Sequence, residues 1–243
     1  MENLKTKKVG EIVAGDYRCA AVFQRNGIEF CCKGNRTLND ACERKGLSAD
    51  KLIVELNDIL TGVRTTEQDY QAWELTKLTG YIVETHHRYI EKTTPVLIQF
   101  LDKLCKVHGG GHPELFEIND TFNRSARELA AHMKKEELML FPAIGKMVAA
   151  KSKGERMEPM MFGTVQNPIA MMMQEHETEG ANFEDIAKLS NGYMPPGDAC
   201  ATYRAAYVLL SEFDTDLHKH IHLENNILFP KAIELEDELN IAE

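Results

Sequence analysis

His132-Met133-Lys134-Lys135-Glu136, followed by Leu140-Phe141-Pro142, returns downstream as His220-Ile221-His222-Leu223-Glu224, followed by Leu228-Phe229-Pro230. In each copy a glutamate stands four residues after the histidine, and Phe-Pro stands nine and ten residues after it. A spacing of four puts both side chains on one face of an α-helix, one turn apart. A single pair of this kind is ordinarily a solvated ion pair worth ~0.2–0.5 kcal/mol. Two copies in the same apolar context describe something else: a repeated helix whose inner face offers an imidazole and a carboxylate. Nitrogen and carboxylate donors together suit iron, manganese or zinc rather than a thiolate-preferring ion.

Working outward, two more histidines complete a period. His87, His132, His176 and His220 follow one another at intervals of 45, 44 and 44 residues. Loop signals fall between them: Gly109-Gly110-Gly111-His112-Pro113, then Lys151 to Pro168, then Asn191 to Gly197. These breaks leave four helical segments, roughly 73–107, 114–149, 167–190 and 198–228, with no alternating apolar pattern that would specify strands. The predicted fold is all-α, an antiparallel four-helix bundle over residues 73–236. Equal spacing in such a bundle places the four histidines at one depth. His87, His132, His176 and His220, with Glu136 and Glu224, are therefore predicted to bind two metal ions, two imidazoles to each ion and both carboxylates between them.

Neighbouring residues receive other readings. His86 competes with His87 for the inward direction. His218 and His222 lie on roughly the opposite side of the helix from His220 and are expected to be exposed, as are His108 and His112 in the glycine-rich loop. Glu91 reads as a solvated residue and Met171-Met172-Met173 as core filler. Glu137, Glu175 and Glu177 are candidates to orient the imidazoles from outside. Pro95 and Pro142 sit within helical periodicity and predict kinks.

Residues 1–62 form a separate small helical domain by this reading. It holds Cys19, Cys31, Cys32 and Cys42, four of the six cysteines. Thr37 to Asp40 resembles a helix cap, Gly46 a helix stop and Ser48 the cap of a last helix through Leu52, Ile53, Leu56 and Leu60. Thr61 to Tyr70 lacks periodicity and reads as a linker. The adjacent Cys31 and Cys32 close too strained a ring to form a disulfide easily, but their thiols can act together as soft ligands or a redox pair. Gly27 and Gly34 place them in a loop. Cys19, Cys42 and Cys105 are assigned to packing. Cys200 stands near a helix start, where the dipole lowers a thiol's pKa.

Composition narrows the function classes. Thirty-eight acidic against twenty-eight basic residues give a formal charge of -10, which repels phosphate backbones and argues against nucleic acid. No apolar run approaches the ~20 residues of a membrane span. The first residues lack the apolar core of a signal peptide, so the expected location is cytoplasmic.

The second part resembles the hemerythrin-like bundles. The chain as a whole resembles the repair-of-iron-centres family, di-iron proteins implicated in restoring iron–sulfur clusters. The resemblance runs through Gly27-Ile28-Glu29-Phe30-Cys31-Cys32-Lys33-Gly34, the two His…Glu…Phe-Pro stretches, Glu175-His176-Glu177 and Pro195-Pro196-Gly197-Asp198-Ala199-Cys200. It implies two non-haem iron ions, oxo- and carboxylate-bridged, with His87, His132, His176 and His220 as ligands and Glu136 and Glu224 as bridges. It makes Cys31 and Cys32 the candidate catalytic residues. It further implies damaged iron–sulfur proteins as partners and nitric oxide or oxygen as small ligands. Two thiols per chain, against the four that a cluster usually takes, suggest a homodimer. The alternatives are a nitric oxide reductase and an oxygen or iron sensor or store. Oxygen-carrying hemerythrins have a fifth histidine one turn from the third-helix ligand; here those positions are Met172 and Gly180, which opposes simple carriage.

Overall fold

The structure, a computed structural model, describes residues 4–61, 69–157 and 159–241. Among the described residues there is no β-strand, only two isolated backbone bridges, Lys8 with Thr37 and Met160 with Gly163. No helix among them is long and apolar enough to cross a membrane.

Four short helices make the N-terminal part: α1 (Val9–Gly15), α2 (Ala20–Arg25), α3 (Leu38–Lys45) and α4 (Ala49–Thr61). The Thr37 hydroxyl accepts the Asp40 N–H at 3.1 Å, and Gly46 ends α3 with a φ of 66°. Val9, Val13, Phe23, Leu38 and Leu56 are fully buried between them. Most of the predicted linker, 62–68, lies outside the described residues.

The bundle follows. α5 runs through Leu75–Tyr81, Ile82–His87 and Arg88–His108; α6 through Glu114–Lys135, Glu136–Leu140 and Phe141–Lys153. α7 is Gln166–Leu189, and α8 runs through Ala201–Leu223, Glu224–Leu228 and Phe229–Ile241. The last helix thus continues well past the predicted end at 228. Pro230 does not stop it because proline is tolerated in the first turn that follows a break in the ladder.

The middle segment of α5, α6 and α8 is a π turn, in which one residue is added to the helical register. In α6 and α8 the turn immediately precedes Phe-Pro, where proline has no N–H to give and its ring crowds the carbonyl four residues back. The predicted interruption at Pro142 takes this form. Around Pro95 the helix Arg88–His108 is continuous.

Two apolar clusters pack the bundle, and along each helix the histidine marks the change from one to the other. Leu97, Leu101, Phe122, Phe183 and Phe213 belong to a cluster that continues into the N-terminal helices. Leu78, Ile82, Leu140, Ile144 and Leu228 belong to the opposite one.

The N-terminal part docks directly against α8. Gly10 lies so close to Asn226 that a β-carbon there would meet the amide oxygen at 2.1 Å. His222 is 1% exposed, its ring 5.7 Å from Tyr17 and 5.8 Å from Phe30. His218 is half-buried beside Phe30 and Glu29. Both histidines were expected in solvent; the face of α8 opposite the bundle interior is instead covered by the N-terminal helices. His108 and His112 are half-buried as well, because they pack on the Tyr203 ring.

Candidate metal centre

The six predicted residues converge on one buried point. His87, Glu136, His220 and Glu224 bring ligand atoms within 4.8 Å of one another, and His132, Glu136, His176 and Glu224 do the same. The π turns begin or end at these positions: His87 closes the first, Glu136 opens the second and Glu224 opens the third. Each imidazole pair joins one histidine from the α5–α6 half to one from the α7–α8 half.

The two carboxylates divide their oxygens between the pairs. Glu136 Oε2 lies 3.3 Å from His87 Nε2 and Oε1 lies 3.4 Å from His132 Nε2. Glu224 Oε1 lies 3.0 Å from His220 Nε2 and Oε2 lies 3.1 Å from His176 Nε2. Both glutamates are fully buried, a placement that costs several kcal/mol per charge unless cations compensate it.

The far side of each ring explains its orientation. His87 Nδ1 donates to Glu137 Oε1 at 3.0 Å and His132 Nδ1 to Glu175 Oε2 at 2.8 Å. His176 Nδ1 donates to Asn225 Oδ1 at 2.8 Å, while the Asn225 amide donates to the Cys31 carbonyl at 3.3 Å. Glu137 and Glu175 were expected in this role; Glu177 is exposed and serves no imidazole, and Asn225 was not expected. Asn225 stands five residues after His220, as Glu137 stands five after His132, so the repeat itself carried that signal. His86 is buried too, but it turns Nδ1 to Asp216 at 2.9 Å and stacks its ring on His220 with centroids 5.7 Å apart.

The Phe-Pro phenylalanines wall the centre. Phe141 lies against the His87 ring and Phe229 against the His176 ring, both with centroids 5.9 Å apart and near-parallel planes.

These residues fit a pair of cations. His87 Nε2, both Glu136 oxygens and Glu224 Oε2 make no hydrogen bond among the described residues, although all are buried. His132 Nε2 and His176 Nε2 face each other at 3.1 Å, each with its other nitrogen already donating. Two lone pairs at that distance require a positive charge between or upon them. The local field supplies the same preference. Burial works against charge on His132, but Glu136, Glu175 and Glu224 outweigh it and lift the imidazole to about 10. The His132 hydrogen bond and, beside it, Lys135 hold Glu175 down at about 2, despite partial burial.

Hard and borderline donors in a buried nitrogen–oxygen set match iron, manganese or zinc. Residues 80–232 match the family described as hemerythrin HHE cation binding domain, and residues 5–60 match ScdA_N, described as a domain of unknown function. The iron-sulfur cluster repair protein YtfE of Pectobacterium atrosepticum is 33% identical over 229 residues, covering 94% of this chain and 97% of its own. The protein of the same name from Yersinia pseudotuberculosis is 32% identical over the same shares of both chains. This chain belongs to the YtfE family of iron-sulfur cluster repair proteins. Its bundle is a hemerythrin-type cation-binding domain.

Cys31 and Cys32 lie beside this layer from outside the bundle. Cys31 is buried, and Cys32 is half-buried with its Sγ donating to the His176 carbonyl at 3.1 Å. Gly180, one turn after His176, faces the same sulfur: a β-carbon there would lie 3.1 Å from it. The space that a larger side chain would need at 180 is thus taken by Cys32. Cys19 and Cys42 are buried, Cys105 is half-buried and Cys200 is exposed beside His108 Nε2 at 3.3 Å. Cys200 is lowered to about 7 by backbone N–H groups at the α8 start and by His108.

Proposed function

We propose that this chain restores iron–sulfur clusters damaged by nitrosative or oxidative stress, acting on damaged iron–sulfur proteins in the cytoplasm through a carboxylate-bridged centre of two non-haem irons. The observation that carries the reading is the division of Glu136 and Glu224 between two imidazole pairs, in a chain of the repair family. Two irons held there supply redox chemistry, iron for rebuilding a cluster, and coordination positions for nitric oxide or oxygen.

The chain's own residues set the conditions. Glu136 and Glu224 would hold two cations close together and offset part of their charge. Glu137, Glu175 and Asn225 fix which nitrogen each ring turns inward. Phe141 and Phe229 exclude water from the inner faces of His87 and His176. Each donor set offers two nitrogens and two carboxylate groups, fewer protein donors than a saturated carrier would give, which favours reactivity. Cys32, at a pocket wall and bonded to the His176 carbonyl, is placed to meet a client or transferred iron before the buried Cys31.

The test is metal content with the visible spectrum, beside reactivation of a nitric-oxide-damaged iron–sulfur dehydratase. Protein from iron-supplied cells should carry two irons per chain and restore the dehydratase. Glu136→Ala/Glu224→Ala should lose both properties. Equal reactivation by this variant would remove the centre from the repair function. The same open positions favour a second reading, direct reduction of nitric oxide, which single-turnover nitrous oxide formation by the reduced protein would support.

A further inference from the structure

Beside the bundle centre lies a second group of metal-ligating side chains. Glu29, Cys31 and Cys32 bring a carboxylate oxygen and two sulfurs within 4.8 Å of one another. The sulfurs are 3.6 Å apart, and Cys31 Sγ donates to Glu29 Oε1 at 3.1 Å. Both thiols therefore turn to one side of the loop. Adjacent Cα atoms stand about 3.8 Å apart, short of the ~4.4–6.8 Å that a disulfide spans, so the proximity does not prepare a bridge. It matches another geometry. A tetrahedral ion with metal–sulfur bonds of about 2.3 Å separates two sulfur ligands by about 3.8 Å.

A histidine of the bundle stands beside this group, outside the set of three. His218 Nε2 approaches Glu29 Oε1 at 3.6 Å. Its Nδ1 donates to the Asp214 backbone carbonyl at 2.9 Å, with the Asp214 carboxylate 2.8 Å away, and that carboxylate accepts the Tyr193 hydroxyl at 2.9 Å. A backbone carbonyl or carboxylate behind an imidazole is the usual outer support of a histidine ligand, fixing its tautomer and direction. The site has an entrance: Glu29, Cys32 and His218 line a pocket of about 330 Å3 between the N-terminal helices and α7–α8.

We propose that Glu29, Cys31, Cys32 and His218 form a third metal site, taking one borderline divalent cation such as ferrous iron or zinc, separate from the two-ion centre. Binding exchanges the two thiol protons for the divalent ion, with no change in oxidation state. One chain supplies all four donors, so a second chain is not needed. The site stands on its own donors and does not depend on the repair reading.

Cobalt(II) added under reductant to the iron-loaded full chain tests it. One equivalent should bind with sulfur-to-cobalt charge-transfer absorption and tetrahedral visible bands, while the iron content stays unchanged. Cys31→Ser/Cys32→Ser should abolish the absorption. His218→Gln and Glu29→Gln should each weaken binding at least tenfold, with unchanged circular dichroism and iron content. Glu136→Ala/Glu224→Ala should keep the cobalt signal while losing iron, which separates this site from the bundle centre. No thiolate band in the native chain would overturn the proposal. Full-affinity binding by both His218→Gln and Glu29→Gln would do so as well, because the cysteines would then be acting without the ligands assigned here.

Discussion

The two halves of the bundle carry the same inner residues and different outer ones. His87 with His132-Glu136 in α5–α6 corresponds to His176 with His220-Glu224 in α7–α8, and Phe141 covers His87 as Phe229 covers His176. Behind the rings the correspondence ends. Glu137 holds His87 by a charge, and its counterpart Asn225 holds His176 by a neutral amide that also grips the Cys31 carbonyl. Glu175 holds His132, but at the counterpart position His86 only stacks on His220, whose Nδ1 has no hydrogen bond among the described residues. A repeated ligand frame can therefore present two unlike ion sites, and the outer support of the second half is tied by a hydrogen bond to the N-terminal part.

The largest expected effect tests how the halves combine. If each ion takes one imidazole pair across the halves, as proposed, His87→Ala/His220→Ala should strip one site and leave about one iron per chain. His87→Ala/His132→Ala, two changes within one half, damages both sites and should leave none. Metal analysis after dialysis distinguishes the two; the reverse order would mean that each ion belongs to a single half.

Outer contacts come next. Removing such a support typically costs ~10–100-fold in metal affinity, so Glu137→Ala and Asn225→Ala should both weaken iron retention in a chelator competition. Only Asn225→Ala should also loosen the N-terminal helices, read as faster proteolysis within residues 4–61. Equal proteolysis of both variants would erase the distinction between halves.

Packing effects are smaller. Gly10→Ala forces a methyl group into Asn226 and should destabilise by about 1–3 kcal/mol, measured by denaturant unfolding. Gly145→Ala, in the middle of α6 with open space around it, should instead stabilise by about 0.5–1 kcal/mol.

The smallest effect is in the pH profile. Glu175 is depressed from the ordinary 4.5 to about 2 by His132 and Lys135. A depressed carboxylate stabilises the fold fully above its unfolded value and loses that contribution as pH falls through the folded one. The melting-temperature advantage of the native chain over Glu175→Gln should therefore be constant above about pH 5 and shrink from there towards pH 2.

Much of this architecture could be read from residues alone. The 45-, 44- and 44-residue intervals place all four histidines at one depth, and the i,i+4 glutamates could point nowhere else. The readings that failed share a cause. His218 and His222 were assigned to solvent because helical phase says which way a side chain points within the bundle, and says nothing about what covers the outside. The docking of α1 on α8 is a contact between residues more than 200 apart, with no local signature. The tie from Asn225 to Cys31 escaped notice for the same reason. The π turns leave a trace in the spacing: the inward positions 136, 140, 144 and 224, 228, 232 step by fours, where a regular helix would alternate threes and fours.

Those turns have a mechanical meaning. One added residue rotates everything beyond it by about 100° around the axis. The stripe that lines the cation layer at Glu136 is thus not the stripe that would meet the second apolar cluster in a regular helix; the turn swings Leu140, Ile144 and Met147 into place instead. In α6 and α8 the segment beyond the turn behaves like a key already turned in its lock. Deleting one residue between Glu136 and Phe141 would turn it back, leaving every donor in the sequence while aiming the last segment of the helix at water.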